Sequence, residues 1–178
     1  MGRASRWSVV AAVVVASAAF AGWTKKGDAE ASFVGLGPAG FKIEGATKNV
    51  DVKDDGKSLV IAIKLPEVTT GIAVRDKHMH EDMGAEQFPD CSLTVALDSL
   101  KVPQDGKSLE AEAKGTLLLH GKTNPTAFKY KATCTRGSCD VEGTADVNVK
   151  DHDIKIRSYM GITVKNDIKV ATKFTVAK

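Results

Sequence analysis

The sequence is poor in aromatic residues, in cysteine and in excess charge of either sign. Aromatic residues make up 6% of its 178 positions, there are three cysteines, and 25 Lys and Arg stand against 22 Asp and Glu, a formal net charge of +3. Without a basic excess for neutralising phosphates, the composition gives no reason to expect a nucleic-acid-binding function, and no nucleic-acid partner is predicted. Hydrophobic residues at 43% and charged residues at 26% are ordinary for a globular domain and exclude a disordered chain.

The sequence has one long apolar run, and it lies at the N-terminus. The run covers residues 7–20, follows Arg3 and Arg6, and ends in the small-x-small pattern of residues 19–21. This layout is typical of a secretory signal peptide, and the run is short for a membrane span, which needs about 20 residues. We therefore predict a signal peptide over residues 1–21. A retained N-terminal anchor is the alternative.

The predicted signal peptide sets the expected domain organisation and location. Residues 22–30 are polar and are predicted to form a flexible leader before one domain over residues 31–178. We expect an exported protein, periplasmic or secreted, with no stable membrane span after cleavage.

The three cysteines agree with an oxidising compartment. Cys134 and Cys139 flank four turn-like residues between two strand-like runs, as in a β-hairpin. Placing Cys134 opposite Cys139 brings the apolar residues of both runs to one face, and directly opposite residues are close enough for a disulfide. We predict this disulfide. A two-cysteine metal site is the alternative, but it lacks nearby ligands, and Cys91 is predicted to be a buried thiol.

Apolar and polar residues alternate along most of the remaining chain. The clearest alternating runs cover residues 59–65, 91–97, 109–119 and 168–176, and turn-rich segments at 54–57, 103–106 and 121–125 separate runs of this kind. Period-two patterns with turns between them predict an all-β fold, an antiparallel sheet with one face in water. Eight or so such strands can close into a barrel around a small ligand.

One connection breaks the alternation, between residues 70 and 85. A short helix is predicted there around residues 76–83, as a functional segment or as a cover for an open barrel end. It carries His78, Met79, His80 and Met83, ligand types that suit copper. On a helix Met79 and Met83 share a face and the two histidines do not. We therefore predict no metal site, with the methionines packed over the barrel and the histidines in water.

Several inward-facing positions of the predicted strands carry very small residues. Ala113, Gly115, Ala132 and Gly143 share the inward parity of their strands with larger neighbours such as Phe128. Small side chains on several strands would leave room for a ligand. They would equally fit the taper of a fully packed small barrel, and the pattern leaves both alternatives open.

Three stretches of the chain, taken in order, carry a family resemblance. They are Thr-Thr-Gly-Ile-Ala-Val-Arg-Asp-Lys-His-Met at 69–79, Gly-Thr-Leu-Leu-Leu-His-Gly-Lys-Thr at 115–123 and Lys-Ile-Arg-Ser-Tyr-Met-Gly-Ile at 155–162. In this order and spacing the chain resembles the YceI family of exported bacterial proteins over roughly residues 31–178. The family's adjacent Phe pair after the His-Met motif is missing, and residues 80–88 are more polar.

The resemblance implies a lipocalin-like antiparallel barrel that carries a long-chain lipid or isoprenoid ligand, such as a polyisoprenoid, a quinone or a fatty amphiphile. The alternative function is a periplasmic metal-handling or protein-interaction module on a packed barrel. No Gly-x-Ser-x-Gly elbow or phosphate-binding loop is present, so no enzyme activity and no cofactor are expected. The predicted lining of the cavity is Phe41, Ile61, Ile63, Met79, Met83, Leu93, Val95, Ala113, Leu117, Leu119, Phe128, Tyr130, Ala132, Tyr159 and Met160.

Overall fold

The structure, a computed structural model, describes residues 22–158 and 161–178. The predicted signal peptide lies outside these residues. The helix and strands of the described residues are β1 (Thr24–Leu36), β2 (Lys42–Thr47), β3 (Val50–Asp54), β4 (Ser58–Lys64), α1 (Ala73–Asp82), β5 (Asp90–Ala96), β6 (Lys107–Leu119), β7 (Lys122–Thr135), β8 (Ser138–Asn148) and β9 (Asp167–Ala177). Short 3-10 turns cover Pro38–Gly40, Leu65–Glu67, Leu97–Ser99 and Val149–His152.

The strands form one antiparallel sheet that closes on itself. Strands β3 to β9 pair in chain order, and β1 completes the circle by pairing with β9 on one edge and with β2 and β3 on the other. Because β2 and β3 lie along the same edge of β1, they act as one interrupted strand. The result is a closed eight-stranded barrel, which confirms the all-β, lipocalin-like prediction.

The predicted flexible leader is wrong for most of its length. Strand β1 begins at Thr24, whose pairing partner on β9 is Ala177. Ala29 is 4% exposed and belongs to the core. The sequence hid this strand because its register shifts between Lys26 and Glu30, where Gly27 takes a positive φ of 64°. Such a bulge interrupts the period-two pattern while the backbone pairing continues on either side.

Two tight hairpins join β6, β7 and β8. The β6–β7 turn is His120-Gly121, with φ angles of 52° and 69°, and the β7–β8 turn is Arg136-Gly137, with φ angles of 54° and 75°. Positive φ at both central residues defines the type I′ turn, whose twist matches that of paired strands. The predicted turn at 121–125 is therefore too long, since residues 122–125 already belong to β7.

The predicted disulfide is confirmed. Cys134 and Cys139 are directly opposite in the β7–β8 pair and are bonded to each other. Both are buried in a hydrophobic cluster at one end of the barrel, which also contains Val52, Leu59 and Phe174. The bond therefore closes the hairpin inside the core.

Breaking this disulfide should cost stability and leave the fold intact. Replacing Cys134 and Cys139 together with Ala is expected to lower the free energy of unfolding by about 2 kcal/mol, because a bridge between residues so close in sequence constrains a short loop of the unfolded chain. Urea unfolding of the variant and the parent measures the difference. Thiol titration of the denatured, unreduced parent should find one thiol, that of Cys91, and three thiols would contradict the bridge.

Candidate functional site

The interior of the barrel holds a cavity of about 940 Å³. Strand β9 shows its extent, because its alternate residues Ile168, Val170, Thr172, Phe174 and Val176 all line it. Those positions span about 26 Å of strand at roughly 3.3 Å per residue. The cavity therefore extends between the two ends of the barrel, and the packed-barrel alternative is wrong.

Most of the predicted lining residues do line this cavity. They are Phe41, Ile61, Ile63, Met79, Met83, Leu93, Val95, Leu117, Leu119, Phe128, Tyr130 and Ala132. The predicted Tyr159 and Met160 lie outside the described residues. A ligand-binding role for these side chains remains a prediction, but their common position on one apolar surface is a property of the structure.

Two of the small inward residues do not line the cavity. Ala113 and Gly115 are absent from its lining. A Cβ added at Gly115 would lie 2.8 Å from the Thr94 carbonyl oxygen and 2.9 Å from the Leu93 Cδ1 atom. Glycine therefore permits the close approach of β5. Ala113 lies directly opposite Phe128 in the β6–β7 pair, and the larger side chain of that pair reaches the cavity.

Sequence reasoning missed lining residues of two kinds. The inward residues of β9 followed a recognisable alternation but were not nominated. The segment between β5 and β6, with Leu97, Leu100 and Val102, has no periodic signal that could have identified it, and the same is true of Ile162 and Val164 before β9. Irregular segments contribute to a cavity through their position at a barrel end.

Helix α1 lies at the end of the barrel remote from the disulfide, within the connection where a helix was predicted. Beside it four side chains line the cavity and are also exposed: Phe41 at 45%, Ile72 at 50%, Val74 at 57% and Ile162 at 41%. Side chains that face both the cavity and the solvent mark an opening, and Val102 at the other end of the barrel meets the same criterion. The opening beside α1 is called the α1 mouth below.

Hydrogen bonds centred on Thr70 hold the beginning of α1. The Asp76 carboxylate accepts from the Thr69 hydroxyl at 2.6 Å, from the Thr70 backbone N–H at 2.7 Å and from the Thr70 hydroxyl. Arg75 donates from Nε to the Thr70 hydroxyl at 2.8 Å and from Nη2 to the Thr70 carbonyl at 2.9 Å. Burial raises the pKa of Asp76, but the hydrogen bonds outweigh it and the pKa lies below its usual value.

The lowered pKa of Asp76 should make this end of the barrel acid-sensitive. A depressed carboxyl pKa contributes stability above the unfolded-state value and loses it as the pH falls through the folded-state value. Asp76→Asn is therefore expected to cost about 1 kcal/mol at neutral pH and to reduce the loss of stability below about pH 4. Unfolding measured against pH tests this, with exposed Asp28→Asn as the control; identical pH profiles for Asp76→Asn and the parent would contradict it.

A second set of contacts holds the end of α1. Arg157 Nη1 lies 2.9 Å from Glu81 Oε2, and Arg157 Nε pairs with the Asp82 carboxylate. These hydrogen bonds, first that to Asp82 and then that to Glu81, raise the pKa of Arg157. Because Arg157 also lines the cavity, the ion pairs tie α1 to the segment before β9 beside the cavity.

The predicted placement of the methionines is confirmed, whereas that of the histidines is wrong. Met79 and Met83 line the cavity beneath α1. His80 is half-buried and its Nε2 lies 2.8 Å from the Val68 carbonyl oxygen, and His78 lines the cavity. The described residues contain no group of three or more His, Cys, Asp or Glu side chains placed to hold a metal ion.

The free thiol of Cys91 also faces the cavity. Burial raises its pKa to about 12. The thiol is therefore protonated at neutral pH and is a poor nucleophile. Its position makes it a natural reporter on whether the cavity is filled.

The barrel wall has a cleft between β7 and β8. Their pairing runs from Thr135↔Ser138 to Lys129↔Thr144, and beyond it towards the α1 mouth the strands separate around a space of about 600 Å³. The 3-10 turn after β8 borders this cleft, where the Asn124 side chain donates to the Asp151 carbonyl at 2.8 Å. Phe128 lines both the cleft and the main cavity.

The pattern of a closed barrel around an apolar cavity, with a helix at one end, has counterparts among known proteins. The family model of the YceI-like domain matches residues 24–176. The chain belongs to the YceI family. The matched range includes the first residues of β1, in agreement with the structure. No curated protein matches the sequence. Within the described residues, none of the helices has the length and apolar character to cross a bilayer.

Three solved structures, each from a different bacterium, have the same fold as this chain. A polyisoprenoid-binding domain from Saccharophagus degradans, implicated in plant cell wall breakdown, is 14% identical, with a TM-score of 0.73 over 88% of this chain and 98% of that one. BcnA from Burkholderia cenocepacia is 15% identical, with a TM-score of 0.66 over 83% and 95%. A YceI protein from Campylobacter jejuni is 16% identical, with a TM-score of 0.56 over 76% and 85%.

Proposed function

We propose that this protein binds and carries a long-chain apolar ligand, a polyisoprenoid, a quinone or a fatty amphiphile, inside its barrel. The observation that carries the proposal is the apolar cavity of about 940 Å³ that extends between the barrel ends. The free energy falls when apolar surface leaves water for an apolar environment. A long hydrocarbon chain is therefore the ligand class that matches this lining.

The cavity lining differs between its middle and its ends. The middle is lined by aliphatic side chains such as Ile63, Leu93 and Val170, whereas polar side chains line both ends, Arg75 and His78 near the α1 mouth and Asp98 and Lys101 at the opposite end. An amphiphile would place its chain among the aliphatic residues and its polar group at an end of the cavity. The polyisoprenoid-binding description of the Saccharophagus domain, which has the same fold, supports this ligand class.

The match to the YceI-like domain and the polyisoprenoid-binding neighbour support a role in binding. Export to the bacterial periplasm or medium is part of the proposal. It is supported by the N-terminal sequence pattern and by the buried disulfide, since disulfides persist in oxidising compartments.

The test is to extract the purified mature protein with organic solvent and to analyse the extract by mass spectrometry. A long-chain lipid in stoichiometric amount is expected. The same preparation, loaded and delipidated, is treated with a small thiol reagent, and ligand should slow modification of Cys91 because the thiol faces the cavity. Protein denatured in urea serves as the control, in which both samples should react alike. A preparation without lipid that neither rebinds a long-chain amphiphile nor gains protection of Cys91 would overturn the proposal.

A further inference from the structure

The exposed large hydrophobic side chains are concentrated at one place on the surface. Among the residues the structure describes there are six such side chains, and five of them lie at the α1 mouth: Leu36, Phe41, Ile72, Val74 and Ile162. These five are called the apolar rim. The sixth, Val102, lies in the connection between β5 and β6 at the opposite end of the barrel. A cluster of exposed apolar residues marks an interaction surface more often than scattered ones do.

Backbone contacts bring the segments of the apolar rim together. In the turn after β1 the Gly37 N–H donates to the Phe41 carbonyl at 2.7 Å, and a Cβ at Gly37 would lie 3.6 Å from Ile162 Cγ2. The Lys165 N–H donates to the Leu36 carbonyl at 2.7 Å. The segment leading to Ile72 is attached to β2 by the Ala46–Thr69 bridge. The rim is therefore built from three adjacent segments around one opening.

The charges beside the apolar rim differ from those of the barrel wall. On the wall, Lys129 pairs with Glu112 at 3.3 Å and Lys173 with Glu142 at 3.0 Å. Next to the rim, Lys42 directly follows Phe41, and Lys165 is bonded through its backbone to Leu36.

Both rim lysines are exposed, and within the described part of the chain neither has a carboxylate within 4.0 Å.

The acidic side chains of α1 are already paired with other groups. Asp76 is hydrogen-bonded to Thr69 and Thr70, and Glu81 and Asp82 are paired with Arg157. Glu44 lies on β2 two residues beyond Lys42, away from the mouth. The rim thus combines exposed hydrocarbon with available positive charge.

We propose that the α1 mouth docks on the surface of a lipid bilayer that contains anionic phospholipids. The apolar rim would enter the boundary between headgroups and acyl chains, and Lys42 and Lys165 would contact lipid phosphates, as in peripheral proteins that combine apolar insertion with basic residues. Because the rim is continuous with the cavity lining, a docked mouth joins the acyl region to the cavity. A long-chain ligand then passes between them without crossing water.

A bilayer fits these observations better than a second protein does. A protein partner would cover the exposed rim but would also close the opening that the rim surrounds. A bilayer covers the rim and leaves the opening in contact with hydrocarbon. This inference goes beyond the proposed function, because docking depends on the surface of the protein and is measured without any ligand in the cavity.

The test is co-sedimentation of delipidated protein with vesicles of phosphatidylethanolamine and phosphatidylglycerol, compared with vesicles of phosphatidylcholine alone. The parent should bind the anionic vesicles and lose binding at high salt. Replacing both Phe41→Ser and Val74→Gln should weaken binding about tenfold or more, because it removes inserted apolar surface. Replacing Lys42→Gln and Lys165→Gln should weaken it about fivefold per lysine on anionic vesicles only, the factor expected for one basic residue near such a surface.

Matched controls come from the rest of the barrel. Val60→Ser removes a half-exposed apolar side chain from β4 that, unlike its neighbours Leu59 and Ile61, does not line the cavity. Lys107→Gln with Lys114→Gln removes two exposed charges from β6. Both are expected to leave vesicle binding unchanged. Thermal unfolding of every variant shows that it is folded, since substitutions on the surface usually change stability little.

Three results would overturn the docking proposal: a parent that does not bind the vesicles, a Val60→Ser variant that loses as much binding as the rim variant, or a parent that forms a dimer which the rim substitutions dissolve in the absence of vesicles. The last result would assign the rim to a second copy of the chain. Lipid extracted from the parent is measured separately. Vesicle binding without any extracted or rebound lipid would refute the proposed function alone, and bound lipid without vesicle binding would refute docking alone.

Discussion

The Ala132→Phe variant is expected to fold as an empty barrel and to lose its ligand. Ala132 is buried and lines the cavity, so a phenyl ring there would occupy space that a hydrocarbon chain needs. If the ring excludes several methylene groups of the ligand from the cavity, the lost burial at about 0.8 kcal/mol for each group lowers the affinity roughly 100-fold or more. Extracted lipid and rebinding of a long-chain amphiphile measure the loss, and thermal unfolding of delipidated protein measures the stability.

Ala113→Phe is the matched control for this experiment. Ala113 lies on the adjacent strand β6, opposite Phe128, and does not line the cavity. The same enlargement there is expected to crowd packed side chains, at a cost of about 1–3 kcal/mol, with most of the ligand retained. An Ala132→Phe protein that keeps its lipid, or that unfolds even when delipidated while Ala113→Phe does not, would contradict the position of the cavity.

The Gly115→Ala variant is expected to lose about 2–3 kcal/mol of stability. Its new Cβ would lie 2.8 Å from the Thr94 carbonyl oxygen, a backbone atom that moves only with strand β5. The added Cβ would push β5 away from β6, and the pairing between these strands is short, from Ser92↔Leu118 to Thr94↔Thr116 only. Urea unfolding of delipidated protein measures the loss of stability. The backbone amides of the β5–β6 pairing should also exchange their hydrogens faster in the variant than in the parent.

Gly143→Ala provides the comparison on strand β8. A Cβ at Gly143 would meet the Thr172 hydroxyl at 3.0 Å and no backbone atom closer than the Lys129 carbonyl at 3.9 Å. A hydroxyl can rotate away, so the cost should stay below about 1 kcal/mol. Equal losses at Gly115 and Gly143 would show that contact with β5 is not the reason for glycine on β6.

The sequence was sufficient for the features that depend on neighbouring strands. Opposing Cys134 to Cys139 also places Ala132 against Val141 and Tyr130 against Gly143, and the structure has this register. The hairpin is local, and a one-residue slip would move every apolar residue to the wet face. The disulfide and the inward positions of Phe128 and Tyr130 could therefore be predicted without knowledge of the rest of the barrel.

The sequence was misleading where a feature is polar or irregular. The first residues of β1 contain Lys25, Lys26 and Asp28, so they resemble a leader, yet their backbone closes the barrel against β9. His80 resembles a solvent-exposed residue, but the carbonyl of Val68, twelve positions away, accounts for its position. Backbone pairing and backbone acceptors have no sequence pattern of their own.

What the sequence by itself determined was the all-β character, the helix in the 70–85 connection, the inward parity of the strands and the disulfide, because period two and hairpin pairing act between residues close in the chain. Only the tertiary structure decided which small inward residues border empty space. Ala132 and Gly115 have the same parity, but Ala132 faces the cavity, whereas Gly115 is pressed against β5. That difference depends on how far β5 pairs along β6 and on which strands face these residues from the other side of the barrel. Neither is encoded in a local sequence pattern.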